Sequence, residues 1–105
     1  MLHSKRQDIQ TDIRTLLQSP LGYLETEHAK QRMRERDITR QEVWHVLVNG
    51  WREPRKDKWS DEFNEWKYAI RGTTLDGRTL RVIVAVINSV IVITAMEIDV
   101  ERPHR

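Results

Sequence analysis

Cysteine is absent from the 105 residues, which excludes disulfides, a thiol nucleophile and a cysteine zinc site. No apolar run approaches the length of a membrane span, and the hydrophobic fraction is 38%. No H-x-H, H-E-x-x-H or paired-acid motif occurs. His3, His45 and His104 share no ligand spacing with His28, so neither a metal nor a cofactor is expected. The opening residues Met1-Leu2-His3-Ser4-Lys5-Arg6 lead into a charged segment rather than an apolar one. A secretory leader and a membrane partner are therefore not expected, and a cytoplasmic location is. Repeats and low-complexity tracts are missing too. One domain spanning 1–105 is expected, with an N-terminal helix (1–19), a core (24–97) and a charged, frayed tail (98–105).

The charge that is present is unevenly placed. Net charge is +2, yet residues 28–58 hold nine Lys/Arg against five Asp/Glu, and residues 59–66 hold three acids and no base. Such a basic segment permits an anionic partner.

The hydrophobic period divides the chain into helices followed by strands. Ser4 is a candidate cap for a helix to Gln18, with Ile9, Ile13, Leu16 and Leu17 on one face. Ser19-Pro20-Leu21-Gly22 ends it. Thr26 caps a second helix with Glu27 in its first turn, where the dipole favours a negative charge. Asp37-Ile38 is a turn, and Thr39 with Glu42 forms a capping box for a third helix. Val43, Trp44, Val46, Leu47 and Val48 cover a broad arc of that helix, so it should be mostly buried, with Trp44 in the core. Asn49-Gly50 ends it.

Beyond Gly50 the pattern is strand-like. Residues 51–59 read as an edge strand or loop because of Pro54. Residues 66–75, 78–87 and 90–97 read as strands, joined at Asp76-Gly77 and Asn88-Ser89. If both turns have two residues, positions summing to 153 pair in the first hairpin and to 177 in the second. Tyr68, Ile70, Arg81, Ile83, Ala85, Val92 and Thr94 would then share one face. Lys67, Arg71, Val82, Val84, Ile91 and Ile93 would share the other. Both faces are apolar in the middle, so a helix layer is expected on one and the N-terminal helix on part of the other. The expected fold class is α+β, with helices packed on a three- to four-stranded antiparallel sheet.

Candidate chemistry centres on the second helix. His28, Arg32 and Arg36 step around it by about 40° each, forming one polar stripe with Glu35 on the same arc. An acid/base group flanked by two guanidiniums suits phosphoryl chemistry, since arginine grips phosphate bidentately. The bland reading is a solvated stripe, with the arginines paired to Glu35 or Glu25. Arg71 and Arg81 interrupt apolar strands: Arg71 is either snorkelling or aimed into a cleft, and Arg81 reads as a strand-end charge. Thr94 is a lone hydroxyl that either packs or donates to a phosphate. Trp51 and Trp59 are open between stacking on bases and filling the core.

The run Thr26–Gly50, with His28-Ala29, Arg32-Met33, Glu35-Arg36, Ile38-Thr39, Val43 and Asn49-Gly50, resembles a bacterial family labelled a domain of unknown function, number forty-two fifty-eight. Tyr68-Ala69-Ile70-Arg71-Gly72, Asp76-Gly77-Arg78 and Ile93-Thr94 resemble its later blocks, so the likeness covers residues 24–97. The resemblance implies a RelE/MqsR-like toxin type with a RelE/barnase-like fold. It implies metal-independent endoribonuclease action on mRNA, by attack of a 2′-hydroxyl on its own phosphate, either free or on the ribosome. It implies RNA and a small antitoxin protein as partners, with a homodimer as one option. By motif position the catalytic residues would be His28 and Arg36, then Arg32, Arg71 and Thr94. On that reading His28→Ala lowers cleavage by about 10²–10⁴. The modest net charge departs from more basic toxins. Two rival readings are a helix-turn-helix DNA-binding module built from the second and third helices, and a non-catalytic protein-interaction domain.

Overall fold

The computed structural model describes residues 4–98. Residues 1–3, with His3, and the expected tail apart from Ile98, with His104, lie outside the described residues. The element order is α1 (Ile9–Leu16), β1 (Tyr23–Glu25), α2 (Glu27–Glu35), α3 (Arg40–Asn49), β2 (Trp51–Arg52), a 3₁₀ turn (Pro54–Lys56), β3 (Lys58–Ser60), β4 (Glu65–Thr73), β5 (Thr79–Val86) and β6 (Val90–Glu97).

The helices form where their caps and apolar spacing place them, with one exception. In α1 the N-cap is Asp8, without a side-chain cap bond, and not Ser4. Ile9, Ile13 and Leu17 form its buried face. In α2, Thr26 Oγ1 accepts from Ala29 N at 2.9 Å. Its C-terminus is a Schellman motif: Ile38 N donates to Met33 O at 2.9 Å and Asp37 N to Arg34 O at 3.3 Å. Asp37 takes the left-handed conformation there, at φ 56°. The expected capping box of Thr39 and Glu42 starts α3.

The sheet departs from expectation. It has six strands and is mixed, in the order β1-β6-β5-β4-β2, with β3 also on β4. The short β1 had no period to reveal it, and it pairs parallel with β6. Both hairpin turns have three residues rather than two. In the first, Gly77 N donates to Thr74 O at 3.0 Å and Gly77 sits at φ 89°. Partners on β4 and β5 therefore sum to 152, as in Arg71 with Arg81 and Tyr68 with Val84. In the second hairpin the expected pairs hold for Leu80–Ile83 with Thr94–Glu97. A bulge between Ile83 and Val84 then shifts the rest by one.

Because strand side chains alternate, one residue of slip exchanges the faces. Tyr68, Ile70, Leu80, Val82, Val84, Val86, Val90 and Val92 form one face, and all three helices bury their apolar residues in the same cluster with them. The N-terminal helix therefore joins the other two instead of covering the far side. That far side carries Arg71, Arg81, Ile83, Ala85, Ile91 and Thr94, with no helix over it among the described residues. Trp44 is not core: Val43, Val46 and Leu47 make the buried face of α3, and Trp44, beside that arc, is 44% exposed.

Gly50 permits a close approach of α3 to β4. It ends α3 as the sequence suggests, with an extended backbone (φ −82°, ψ −163°). A Cβ there would lie 2.3 Å from Arg71 O and 2.5 Å from Val46 O. Gly50→Ala is expected to lower the unfolding free energy by about 1–3 kcal/mol, read as a reduced urea midpoint at unchanged m-value.

Candidate nucleic-acid interface

The five residues singled out from sequence separate into three places. His28 is exposed in the first turn of α2. Arg32 donates to Glu35 at 2.9 Å, the ordinary pairing for an i,i+3 stripe. Arg36, the α2 C-cap, reaches the edge of the sheet and donates to Ala95 O at 2.8 Å and Thr94 Oγ1 at 3.4 Å. The cause is that β1 pairs with β6 only as far as Val92 and leaves the outer edge of β6 bare beyond it. Arg36 and Thr94 are thus brought together. Arg71 lies on the face opposite α2, so it shares no cleft with His28. It does share a face with Thr94, which the two-residue turn had ruled out.

The open face holds a different constellation. Trp51, Arg71, Arg81 and Met96 stand in one row across β2, β4, β5 and β6. Directly opposed residues share a face. The two guanidiniums are therefore neighbours, and one carboxylate serves both. Glu53 accepts from Arg81 Nε at 2.6 Å and Nη2 at 3.1 Å, and from Arg71 Nη1 at 3.4 Å. The Arg81 hydrogen bond, opposed by burial and assisted by Arg71, holds the Glu53 carboxyl below its ordinary range. Trp51 completes the row at 52% exposed.

The loop that carries Glu53 is pinned from both sides. Glu53 N donates to Ala69 O at 2.9 Å, and the fully buried Asp57 carboxylate accepts from Ala69 N at 2.9 Å. Arg52 at 2.5 Å and Lys5 at 3.2 Å neutralise Asp57. Beside this row Lys58 opposes Lys67, another like-charge cross-strand pair. Neither lysine forms an ion pair among the described residues. Opposed like charges cost stability unless an anion lies between them. Arg55 and Lys56 border a cavity of about 500 Å³ with Glu53. The result is a cationic face with one aromatic platform, a surface suited to a phosphodiester backbone with splayed bases.

Sequence reasoning undervalued this place. From sequence alone Arg81 reads as a strand-end charge, Trp51 fits either stacking or core, and nothing marks Glu53. The signal that could find them is arithmetic: with a three-residue turn, Arg71 and Arg81 fall opposite each other. Arg78, also missed, is structural. It donates to both Glu42 oxygens at 2.7 Å and to Asp37 O at 3.0 Å, fastening the β4–β5 turn to the α2–α3 turn. The α2–α3 pair has a helix-turn-helix outline, but α3 lies on the sheet. Its Arg40 and Glu42 are taken up by Glu25 and Arg78.

Fold and site together define an α+β domain with a mixed sheet, helices on one face and a basic open face on the other. Residues 26–97 match the family model "Domain of unknown function (DUF4258)", and the chain belongs to that family. The match takes in α2, α3 and β2 to β6 and leaves out α1 and β1. No curated protein and no solved structure matches the chain.

Glu53→Gln is expected to lower stability near neutral pH by about 1–3 kcal/mol, since two half-buried guanidiniums lose their anion. A carboxyl whose folded-state pKa is depressed stabilises above its unfolded value and loses that contribution as pH falls through the folded value. The gap between variant and wild type should therefore close below about pH 4.3 in urea titrations. A gap independent of pH would contradict the pairing.

Proposed function

We propose that the open face binds single-stranded RNA and that the chain is a metal-independent endoribonuclease of the RelE/barnase-like kind its sequence resembles, acting in a toxin–antitoxin pair. The observation that supports this most is the Arg71–Arg81 pair, sharing one carboxylate beside the exposed Trp51.

In this reading a phosphate takes the place of Glu53 on the two guanidiniums, since arginine forks match phosphate as they match carboxylate. The freed Glu53 carboxylate takes the proton of the neighbouring 2′-hydroxyl. The 2′-oxygen attacks phosphorus, the bond to the 5′-oxygen breaks, and the leaving oxygen takes a proton from water. The products are a 2′,3′-cyclic phosphate and a 5′-hydroxyl. Arg71 and Arg81 carry the charge that gathers on the phosphate oxygens in the transition state. Trp51 stacks on a base, and Lys58 and Lys67 hold the flanking backbone. His28 lies in the other layer and takes no part.

The test uses a fluorescent single-stranded oligoribonucleotide. Trp51→Ala is expected to cost about 1–3 kcal/mol of affinity. Lys67→Ala should reduce the salt slope by about 0.7. Glu53→Gln should lower cleavage by about 10²–10⁴ while retaining binding. His28→Ala should cleave at the wild-type rate. Binding indifferent to Trp51 and Lys67, or cleavage lost with His28 and kept with Glu53→Gln, would overturn this reading.

A further inference from the structure

The far edge of the sheet is unfinished. β1 is its terminal strand and pairs with β6 alone. Val90 N donates to Gly22 O at 2.7 Å and Thr26 N to Val92 O at 3.1 Å. In a parallel ladder alternate residues face the neighbour. Leu24 therefore turns inward with Gly22 and Thr26, and Tyr23 and Glu25 turn their N–H and C=O groups outward. Among the described residues those outward groups have no hydrogen-bond partner. Natural edge strands are usually blunted by lysine, proline or a bulge. β1 carries none of these; it is only short.

A groove of about 720 Å³ runs along this edge, lined by Leu17, Pro20, Tyr23, Lys30, Arg40 and Trp44 among others. Leu24 also lines it at 52% exposed, and Leu21 follows Pro20 at 81% exposed. Its charged lining is partly paired already: Lys30 Nζ donates to the exposed Glu27 carboxylate at 3.0 Å. The Glu25 carboxylate, 4% exposed, is already spent: it accepts from Arg40 Nε at 3.1 Å and Nη2 at 3.2 Å, and from Tyr23 Oη at 2.5 Å. A second cavity of about 390 Å³ continues along α2, shares Glu25, Lys30 and Arg40 with the first, and adds Arg34. Arg34 has no carboxylate partner among the described residues.

Free ladder groups select an extended backbone, and the lining selects the side chains. We propose that the outer edge of β1 takes up an extended acidic segment of a partner protein as a seventh strand. Its backbone pairs with Tyr23 and Glu25, an apolar side chain enters the groove beside Trp44, one flanking carboxylate meets Arg34, and another displaces the exposed Glu27 from Lys30. The site is at the opposite end of the sheet from Trp51, so it stands or falls independently of the RNA reading.

The probe is a synthetic nonapeptide, blocked at both ends, alternating Glu and Val around a central Leu and added to the isotope-labelled full chain. Binding is expected to slow exchange of the Tyr23 and Glu25 amide hydrogens at least about tenfold. Trp44→Ala, at an exposed position that leaves the core intact, should weaken it by about tenfold. A twin N-methylated at alternate residues, and a twin with Lys for Glu, should give no slowing. No slowing at millimolar peptide would overturn the proposal. So would equal binding of the N-methylated twin, which means side-chain docking without a strand, or of the Lys twin, which means no acidic preference. Slowing that grows with protein concentration alone would make a second copy the occupant and overturn it too.

Discussion

The three-residue turn between Thr74 and Arg78 is the constraint on which the rest of the sheet depends. Thr74 N donates to Arg78 O at 2.8 Å, and Thr74 Oγ1 accepts from Arg78 N at 3.0 Å. Gly77, at φ 89°, supplies the left-handed step that this turn requires. One residue fewer would move every β4 side chain across its partner and exchange core for surface. Arg78 then fastens the turn to Glu42 and to the α2–α3 corner, so register and helix placement are set together. Burial works against the charge on Glu42, but the Arg78 hydrogen bond and the cap at Thr39 outweigh it and hold that carboxyl ionised.

From this register the layering follows. The valine-rich faces of β5 and β6 meet Tyr68 and Ile70, and the three helices cover that side. The other side is left with small or half-buried apolar residues at its centre and arginines in one row. Charges at half-buried strand positions need partners, and here one glutamate on a pinned loop serves two of them. A shared carboxylate leaves the pair with one positive charge in excess. Arg36 spends its guanidinium at the bare edge of β6, where unpaired carbonyls would otherwise invite another strand. Beside β1 nothing comparable closes the edge among the described residues.

Local signals were legible in the sequence and pairings were not. Thr26, Thr39 and Glu42 announce α2 and α3 because capping is read from a few consecutive residues. The family likeness was legible in the same way, through spaced short blocks. Turn length was not: Asp76-Gly77 fits two-residue and three-residue hairpins alike. That ambiguity placed Arg71 and Thr94 on opposite faces and hid the opposition of Arg71 and Arg81. β1 escaped because three residues carry no period. The exposure of Trp44 is not legible because an apolar arc on a helix does not say where its flank ends. His28 is conspicuous in sequence as a titratable group on a stripe. Glu53 looked like one more charge in a polar loop, because nothing local tells that two strands will present arginines to it.

The open face can be tested by asking where RNA touches the protein. A titration of isotope-labelled chain with a 2′-O-methyl oligoribonucleotide, which binds without being cut, followed by amide, guanidinium and indole shifts, is the most direct measurement. Shifts should concentrate at Arg71, Arg81, Thr94 and the Trp51 indole, with α2 around His28 unchanged. Shifts centred on His28 and Arg32, or none at ionic strengths where a basic face should hold RNA, would contradict it.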